Sequence, residues 1–125
     1  MAFTETRPNV GIIDKQNSQL SQGLKKYIES KNNIVNIKED ESYIKEQIFL
    51  EVVDAVIIIP ETFDEKVIKK EEALIVYTDD RKPQAIQIQN QINKYIAFAN
   101  NTYEEGQFKL EDVDSALRES VNVEL

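Results

Sequence analysis

Four short runs of apolar residues alternate along the chain with segments of helical periodicity. The runs are rich in β-branched and aromatic side chains and end at polar or turn residues, a pattern typical of β-strands. They cover Val10–Asp14, Ile34–Ile37, Ala55–Ile59 and Leu74–Tyr77. Because three of them are nearly continuous in apolar character, we expect these strands to be covered on both faces of a sheet.

Each of the three segments between these runs carries one apolar stripe at helical spacing. The stripes are Leu20, Leu24, Tyr27 and Ile28, then Ile44, Ile48 and Val52, then Phe63, Val67 and Ile68. Strands that alternate with helices indicate an α/β domain with parallel, right-handed crossovers. We predict a three-layer sandwich with a mainly parallel, mixed sheet and a strand order of 2-1-3 at its centre.

A long helix is predicted from Pro83 to Thr102, since proline is well tolerated in the first turn of a helix. At 1.5 Å per residue it would be roughly 30 Å long, more than a crossover requires. We therefore expect part of its stripe to be uncovered and to form an interface. The interface candidates are Ile88, Ile92, Tyr95 and Ile96.

The last part of the chain has weaker signals. Gly106 is predicted to end a helix. A short helix is predicted around Val113, Ala116 and Leu117, and the alternation in Val121–Leu125 predicts a final strand. The length of 125 residues suits a single domain, which we place at residues 1–125.

Composition excludes several functions. The net charge is −8 with no basic run, which argues against nucleic acid and against electrostatic binding to anionic lipid. The chain has no cysteine and no histidine, so it lacks a thiolate nucleophile, the commonest general base and the commonest metal ligand. No apolar run reaches the 18–20 residues or so that a membrane helix needs. We predict no catalytic residue, no metal and no cofactor.

The end of the first strand is the most suggestive place for a ligand, because α/β proteins bind ligands beyond the carboxyl ends of their strands. Asp14 lies there, followed by Asn17, Ser18 and Ser21. These residues are weak candidates for binding a cation or a polar ligand. They are equally the residue types that bond a turn backbone and cap a helix. The turn has no glycine, which argues against a phosphate cradle.

The third strand runs into a corner that has a structural explanation. Pro60 ends the strand, and Phe63 can fold back over the sheet. Thr62 and Glu65 have the spacing of a capping box. Further on, the acids Asp79 and Asp80 are followed by Arg81 and Lys82, which predicts a solvated turn rather than a metal site.

Three segments in this order, together with the long helix that follows them, resemble one family, the extracytoplasmic domain of type 2 ATP-binding-cassette (ABC) transporter permeases. They are VGIIDKQNSQLSQGLKKYI (Val10–Ile28), EVVDAVIIIPETFDEKV (Glu51–Val67) and ALIVYTDD (Ala73–Asp80). In that family a membrane helix leads into a strand ending in an aspartate, then an Asn/Asp-Ser turn and a second serine. Asp14, Asn17, Ser18 and Ser21 match this pattern. Ile59, Pro60 and Phe63 match the end of the family's third strand, and Asp79 the end of its next strand.

The resemblance implies an exporter module that captures substrate, docks a partner or helps to assemble the permease. Its implied partners are a second permease half, which makes a homo- or heterodimer, and a separate ATP-hydrolysing subunit or domain, with membrane contact only through flanking helices. The chain lacks those helices, so we expect it to be excised from a larger permease on the extracytoplasmic side of the cell membrane. Two alternatives stay open. One is a free-standing cytosolic domain of flavodoxin-like shape that binds a small ligand or has a regulatory role. The other is a small hydrolase that uses carboxylates for catalysis.

Overall fold

The computed structural model describes residues 7–101, 103–104 and 107–108. Its main sheet contains β1 (Asn9–Asp14), β2 (Asn33–Ile34), β3 (Ala55–Ile59) and β4 (Ile75–Thr78). The strand order is β2-β1-β3-β4. Strand β1 pairs in parallel with β2 and β3, and β4 runs antiparallel to β3. The predicted mixed sheet with a 2-1-3 core is confirmed.

The described helices are α1 (Gln19–Lys31), α2 (Glu41–Phe49), α3 (Phe63–Ile68) and α4 (Pro83–Asn101). Helices α1 and α2 make the two crossovers between parallel strands. Each begins at a polar residue that stabilises unpaired amides of the first turn. The side chain of Ser18 accepts from Ser21 N, and that of Asp40 accepts from Tyr43 N.

Side chains of β3 alternate between two apolar clusters, one on each face of the sheet. Ala55, Ile57 and Ile59 pack with residues from α1, α3 and α4. Val56 and Ile58 pack with Ile44 of α2. All five β3 residues are buried, as expected for a strand covered on both sides. The predicted three-layer sandwich is confirmed.

The second strand differs from the prediction of Ile34–Ile37. Its paired residues are only Asn33 and Ile34, and the chain leaves the ladder after Val35 N, which donates to Val10 O at 2.9 Å. Ile37 then packs over Gly11 and is buried. A Cβ atom at Gly11 would lie only 2.7 Å from Ile37 Cγ1. Because glycine has no Cβ, the side chain of Ile37 can pack directly on the backbone of β1. The apolar run reflects this packing rather than strand pairing.

The prediction that Val52 belongs to the apolar stripe of α2 is wrong. The helix ends at Phe49, and Glu51 adopts a left-handed conformation with φ of 61°. The turned backbone lets Val52 N donate to Gln47 O at 3.0 Å, a bond that closes the end of the helix. Val52 is therefore left partly exposed.

Helix α4 confirms the predicted long helix from Pro83; Thr102, its predicted end, lies outside the described residues. An antiparallel pair follows, formed by β5 (Tyr103–Glu104) and β6 (Gln107–Phe108). The sequence did not predict it. Gly106, the short helix around Val113, Ala116 and Leu117, and the strand Val121–Leu125 also lie outside the described residues. The single domain over 1–125 stays a prediction.

Candidate functional site

The structure brings the four predicted site residues together in the turn between β1 and α1. Asp14 Oδ1 accepts from the backbone amides of Gln16 at 3.1 Å and Asn17 at 2.8 Å. Asp14 Oδ2 accepts from the hydroxyl of Ser21 at 2.8 Å. Both carboxylate oxygens of Asp14 are thus occupied by the protein itself.

Ser18 and Ser21 form a reciprocal capping box at the start of α1. Ser21 N donates to Ser18 Oγ at 3.0 Å, and Ser18 N donates to Ser21 Oγ at 2.8 Å. Two unpaired donors of the first turn are satisfied in this way. Asn17 has a left-handed backbone with φ of 58°, which asparagine tolerates better than most residues. Every one of the four residues has a local role, and a ligand-binding role stays a prediction.

Side chains of this turn also reach the corner between β3 and α3. The hydroxyl of Ser18 donates to Asp64 Oδ1 at 2.8 Å, and Gln16 Oε1 accepts from Asp64 N at 2.9 Å. We call Asp14, Gln16, Ser18, Ser21 and Asp64 the turn cluster. It joins the carboxyl ends of the two central parallel strands, where a ligand of an α/β protein usually binds. In this chain, the hydrogen bonds at that place hold the two turns to each other.

The predicted corner at Pro60 is confirmed in two of its parts. Strand β3 stops immediately before Pro60, whose carbonyl accepts from Phe63 N at 3.1 Å. Phe63 is fully buried in the cluster shared with α1 and α4. The ring therefore fixes α3 to the sheet.

The capping box predicted for Thr62 and Glu65 is wrong. Thr62 is the cap residue of α3 but makes no side-chain capping bond. Its φ of −95° and ψ of 12° lie outside the extended region that capping residues usually adopt. Glu65 pairs instead with Lys69 at 2.9 Å, an ion pair that lowers the pKa of Glu65. In the first turn of α3, the amide of Asp64 donates to the side chain of Gln16, which comes from a different part of the chain.

The predicted uncovered stripe on α4 is also corrected. Ile88, Ile92 and Tyr95 are each at most 2% exposed, and Ile96 is partly buried against the same cluster. The phenol of Tyr95 donates to Leu20 O at 3.0 Å, and its ring stacks on Tyr27 of α1. These four residues pack in the cluster that also contains residues of α1, α3 and the sheet, so they belong to the core and not to an exposed interface.

An exposed apolar surface does exist, at the end of α2. Phe49 is 83% exposed, Leu50 57% and Val52 43%. We call these three residues the apolar tip. The sequence signal for this exposure is that Phe49 and Leu50 are apolar but do not fall on the stripe formed by Ile44 and Ile48. Off-stripe apolar residues at the end of a helix are candidates for exposure.

Charged residues surround the apolar tip and pair with one another. Lys82 pairs with Glu51, and Lys45 with Glu41 at 3.1 Å. The guanidinium of Arg81 donates to both carboxylate oxygens of Asp79 at 2.9 Å, which lowers the pKa of Asp79. Asp79–Lys82 is thus a solvated, charge-paired turn, as predicted. In the part of the chain that the structure describes, no three acidic side chains are grouped as metal ligands would be.

Comparison with known proteins gives similarity at the level of structure. No protein-family model matches the chain, and no curated protein does. A crystallised domain assigned to an ABC type-2 transporter of Thermotoga maritima MSB8 is similar, with a TM-score of 0.54 and 20% identity, over 78% of this chain and 72% of that one. A domain assigned to an ABC transporter of Porphyromonas gingivalis W83 has a TM-score of 0.51 and 18% identity, over 87% and 82%.

The fold implied by the resemblance to type 2 ABC permease domains is therefore confirmed by two solved structures. The residues that carry that resemblance also occupy the expected places. Asp14 ends β1, Ile59 ends β3 before Pro60, and Asp79 follows β4 directly. Across the described residues, no helix combines the length and apolar composition of a membrane span.

Proposed function

We propose that this chain is an extracytoplasmic domain of an ABC-type exporter permease and that it acts by binding and assembly rather than by catalysis. The observation that carries this proposal is the shared fold with two domains assigned to ABC transporters. The similarity extends over most of each of those chains, so it concerns a whole domain rather than a recurring fragment. In the intact transporter, ATP would be hydrolysed by a separate subunit or domain.

The turn cluster supports a role in assembly more than one in substrate capture. A capture site needs polar groups that are free to bind a ligand. Here the carboxylate of Asp14 accepts three hydrogen bonds from the protein, and that of Asp64 accepts one from Ser18. The two structural neighbours are transporter domains and not enzymes, which supports a role without chemistry. We therefore expect the domain to position the permease halves or to bind a partner at its surface.

The side of the membrane can be tested with one cysteine, because the chain has none. Lys25 is exposed on α1, and its neighbour Leu24 is 1% exposed. The natural full-length gene product, with any other cysteine replaced, would carry Lys25→Cys or Leu24→Cys. A membrane-impermeant maleimide added to intact cells should label Lys25→Cys. Leu24→Cys should react only after denaturation, which controls for surface access.

The partner can be tested in the same preparation. The full-length protein should co-purify with an ATP-hydrolysing subunit, or contain such a domain, after mild detergent extraction. Labelling of Lys25→Cys only after cell lysis would place the domain in the cytoplasm and overturn the proposal. A product without membrane helices or an ATPase partner would favour the free-standing domain instead.

A further inference from the structure

Strand β4 lies at the edge of the main sheet in the part of the chain that the structure describes. It pairs with β3 on one side, and no described strand pairs with its other side, which we call the outer edge of β4. Every residue of β3 is buried, whereas no residue of β4 is, and Ile75 is 48% exposed. Because amides in an antiparallel pair point alternately to either side, some backbone groups of β4 point to the outer edge.

The outer edge of β4 has none of the features that protect an exposed edge strand. The strand Ile75–Thr78 contains no charged residue and no proline, and it pairs one to one with β3 without a bulge. Exposed edges usually carry such features, because an unprotected edge readily pairs with a further strand. The outer edge of β4 is therefore a surface that suits the addition of a strand.

Helix α4 returns the chain to the end of the sheet where β4 begins. Its 19 residues span about 28 Å at 1.5 Å per residue. Tyr95, in its second half, donates to Leu20 O in the first turn of α1. That turn follows the end of β1, which lies level with the end of β3 and the start of β4. A strand that follows α4 from this end of the sheet would run parallel to β4.

The two crossovers in the structure indicate where such a strand would lie. Helix α1 leads from β1 to β2 on one face of the sheet, and α2 leads back from β2 to β3 on the other face. The two crossovers therefore have the same hand, which is right-handed in nearly all proteins. Helix α4 packs on the face that carries α1, but it follows a strand that runs opposite to β1. A right-handed crossover through α4 must then move away from β2, onto the outer edge of β4.

The sequence after the described residues contains a segment of suitable pattern. Val121–Leu125, the predicted final strand, is separated from Phe108 by residues 109–120. In extended form this linker reaches about 40 Å, more than the sheet requires. The alternation of Val121–Leu125 places apolar side chains on one face and polar side chains on the other. The apolar ones are Val121, Val123 and Leu125, and the polar ones are Asn122 and Glu124.

The exposed side chains of β4 match one apolar face. Ile75 pairs with Ile58, and Tyr77 pairs with Val56, so both lie on the face of the sheet that α2 covers. Tyr77 is only partly buried there, and Ile75 is half exposed. A neighbouring strand with apolar side chains on this face would cover them.

A segment of the same chain suits this edge better than a second copy does. A segment joined by a short flexible linker is present at an effective concentration of about millimolar. Two copies would each carry a net charge of −8, which opposes association.

We infer that Val121–Leu125 pairs with the outer edge of β4 as a fifth, parallel strand of the main sheet, with its apolar face beside Ile75. This inference does not depend on the proposed function. The added strand would close the edge to strands from other proteins. It would also place Leu125 at the end of the sheet where β1 begins, since β4 ends there.

Disulfide formation tests the contact, because the chain has no cysteine of its own. Ile75→Cys is combined with Val121→Cys or Val123→Cys, and at least one pair should form an intramolecular disulfide under a mild oxidant. Neighbouring strands lie about 5 Å apart, which is within disulfide reach. Two control pairs should stay reduced: Ile75→Cys with Asn122→Cys, on the opposite face, and Ile34→Cys, on the other edge of the sheet, with Val121→Cys. Mass spectrometry without reduction reads all pairs.

Amide hydrogen exchange tests the same pairing in the full chain. The β4 amides that point to the outer edge should exchange slowly. Val123→Asp places a charge on the apolar face of the segment and should accelerate their exchange. Asn122→Asp places the same charge on the opposite face and should leave it slow. Amides of β3 should be unaffected in both variants, which shows that the rest of the fold is intact.

Four results would overturn the inference. Rapid exchange of the outer-edge amides in the unmodified chain would show that no strand covers them. Slow exchange that Val123→Asp does not change would assign the cover to something other than this segment. A disulfide between two chains would assign the edge to a second copy. Oxidation of the Ile34→Cys control as fast as that of the Ile75→Cys pairs would show a segment without a fixed position.

Discussion

A Cβ atom at Gly23 would lie 2.3 Å from the phenol oxygen of Tyr95. The contact between α1 and α4 therefore needs glycine at this position, in the middle of a helix where glycine is otherwise unfavourable. Tyr95 is 1% exposed and donates to Leu20 O at 3.0 Å. Its oxygen cannot move aside without breaking that bond.

Gly23→Ala should destabilise the protein by roughly 1–3 kcal/mol, because overpacking at the buried phenol outweighs the gain in helix propensity of about 1 kcal/mol. Tyr95→Phe alone should cost about 1 kcal/mol for the lost hydrogen bond. The double variant should be more stable than the sum of the two changes predicts, since the next atom, Tyr95 Cζ, would be at an ordinary 3.4 Å. Urea unfolding of the four proteins measures this coupling; strict additivity would contradict the close contact.

The layers of the fold were predictable because periodicity decides which face of an element is buried. The continuous run Ala55–Ile59 is apolar on both faces, and the structure covers both. Periodicity does not say what covers a face, however. The stripe at Ile88, Ile92 and Tyr95 was correctly recognised as apolar, but its partner is α1, and the close approach depends on the small size of Gly23.

The candidate site shows the same limit for local motifs. Ser18 and Ser21 were recognised as residues able to cap α1, and they do. Thr62 and Glu65 have the spacing of a capping box. In the structure, however, the amide of Asp64 in the first turn of α3 donates to the side chain of Gln16, which is far away in sequence. A tertiary contact replaced the local one, and no local pattern could have indicated it.

Substitutions at the β3–α3 corner should separate packing from capping. Phe63→Ala should cost roughly 3–5 kcal/mol because it removes a fully buried ring. Thr62→Ala should change stability by less than about 0.5 kcal/mol, since the threonine makes no capping bond. Gln16→Ala should cost about 1 kcal/mol through loss of the bond to Asp64 N. Chemical denaturation gives all three values; a larger loss for Thr62→Ala than for Gln16→Ala would restore the capping box.

The pair formed by Asp79 and Arg81 should be visible in a titration. Hydrogen bonds from Arg81 lower the pKa of Asp79, so NMR of the side-chain carboxyl should show it titrating below the usual aspartate range. Because the folded-state pKa is lowered, the pair stabilises the fold above the unfolded-state pKa, and this contribution disappears as the pH falls through the folded-state value. The effect on stability should be small, since Arg81 is 89% exposed. Arg81→Gln should return the pKa toward its usual range, and high salt should reduce the shift; a titration unchanged by both would exclude the pair.

The turn cluster offers the test that matters most for function, because its two interpretations predict different measurements. If Asp14 and Ser21 hold the turn, Asp14→Ala should cost about 1–3 kcal/mol, because it leaves two backbone amides without their acceptor and removes one of the two acceptors of the Ser21 hydroxyl. Ser21→Ala should cost about 1–2 kcal/mol, since it removes half of the capping box. Lys25→Ala, on the next turn of α1 and exposed, should change stability by less than about 0.5 kcal/mol.

If the cluster instead binds a cation, the protein should be stabilised by that cation, because any ligand that binds only the folded state raises its stability. We expect no such effect, since the oxygens of Asp14 already accept hydrogen bonds from the protein. Thermal unfolding would be recorded with and without 10 mM Ca²⁺ or Mg²⁺ on the unmodified chain and on Asp14→Asn. Equal midpoints with and without the cation support the structural role. A cation-dependent rise in the unmodified chain that is absent from Asp14→Asn would make Asp14 a ligand, and the cluster would then be a binding site.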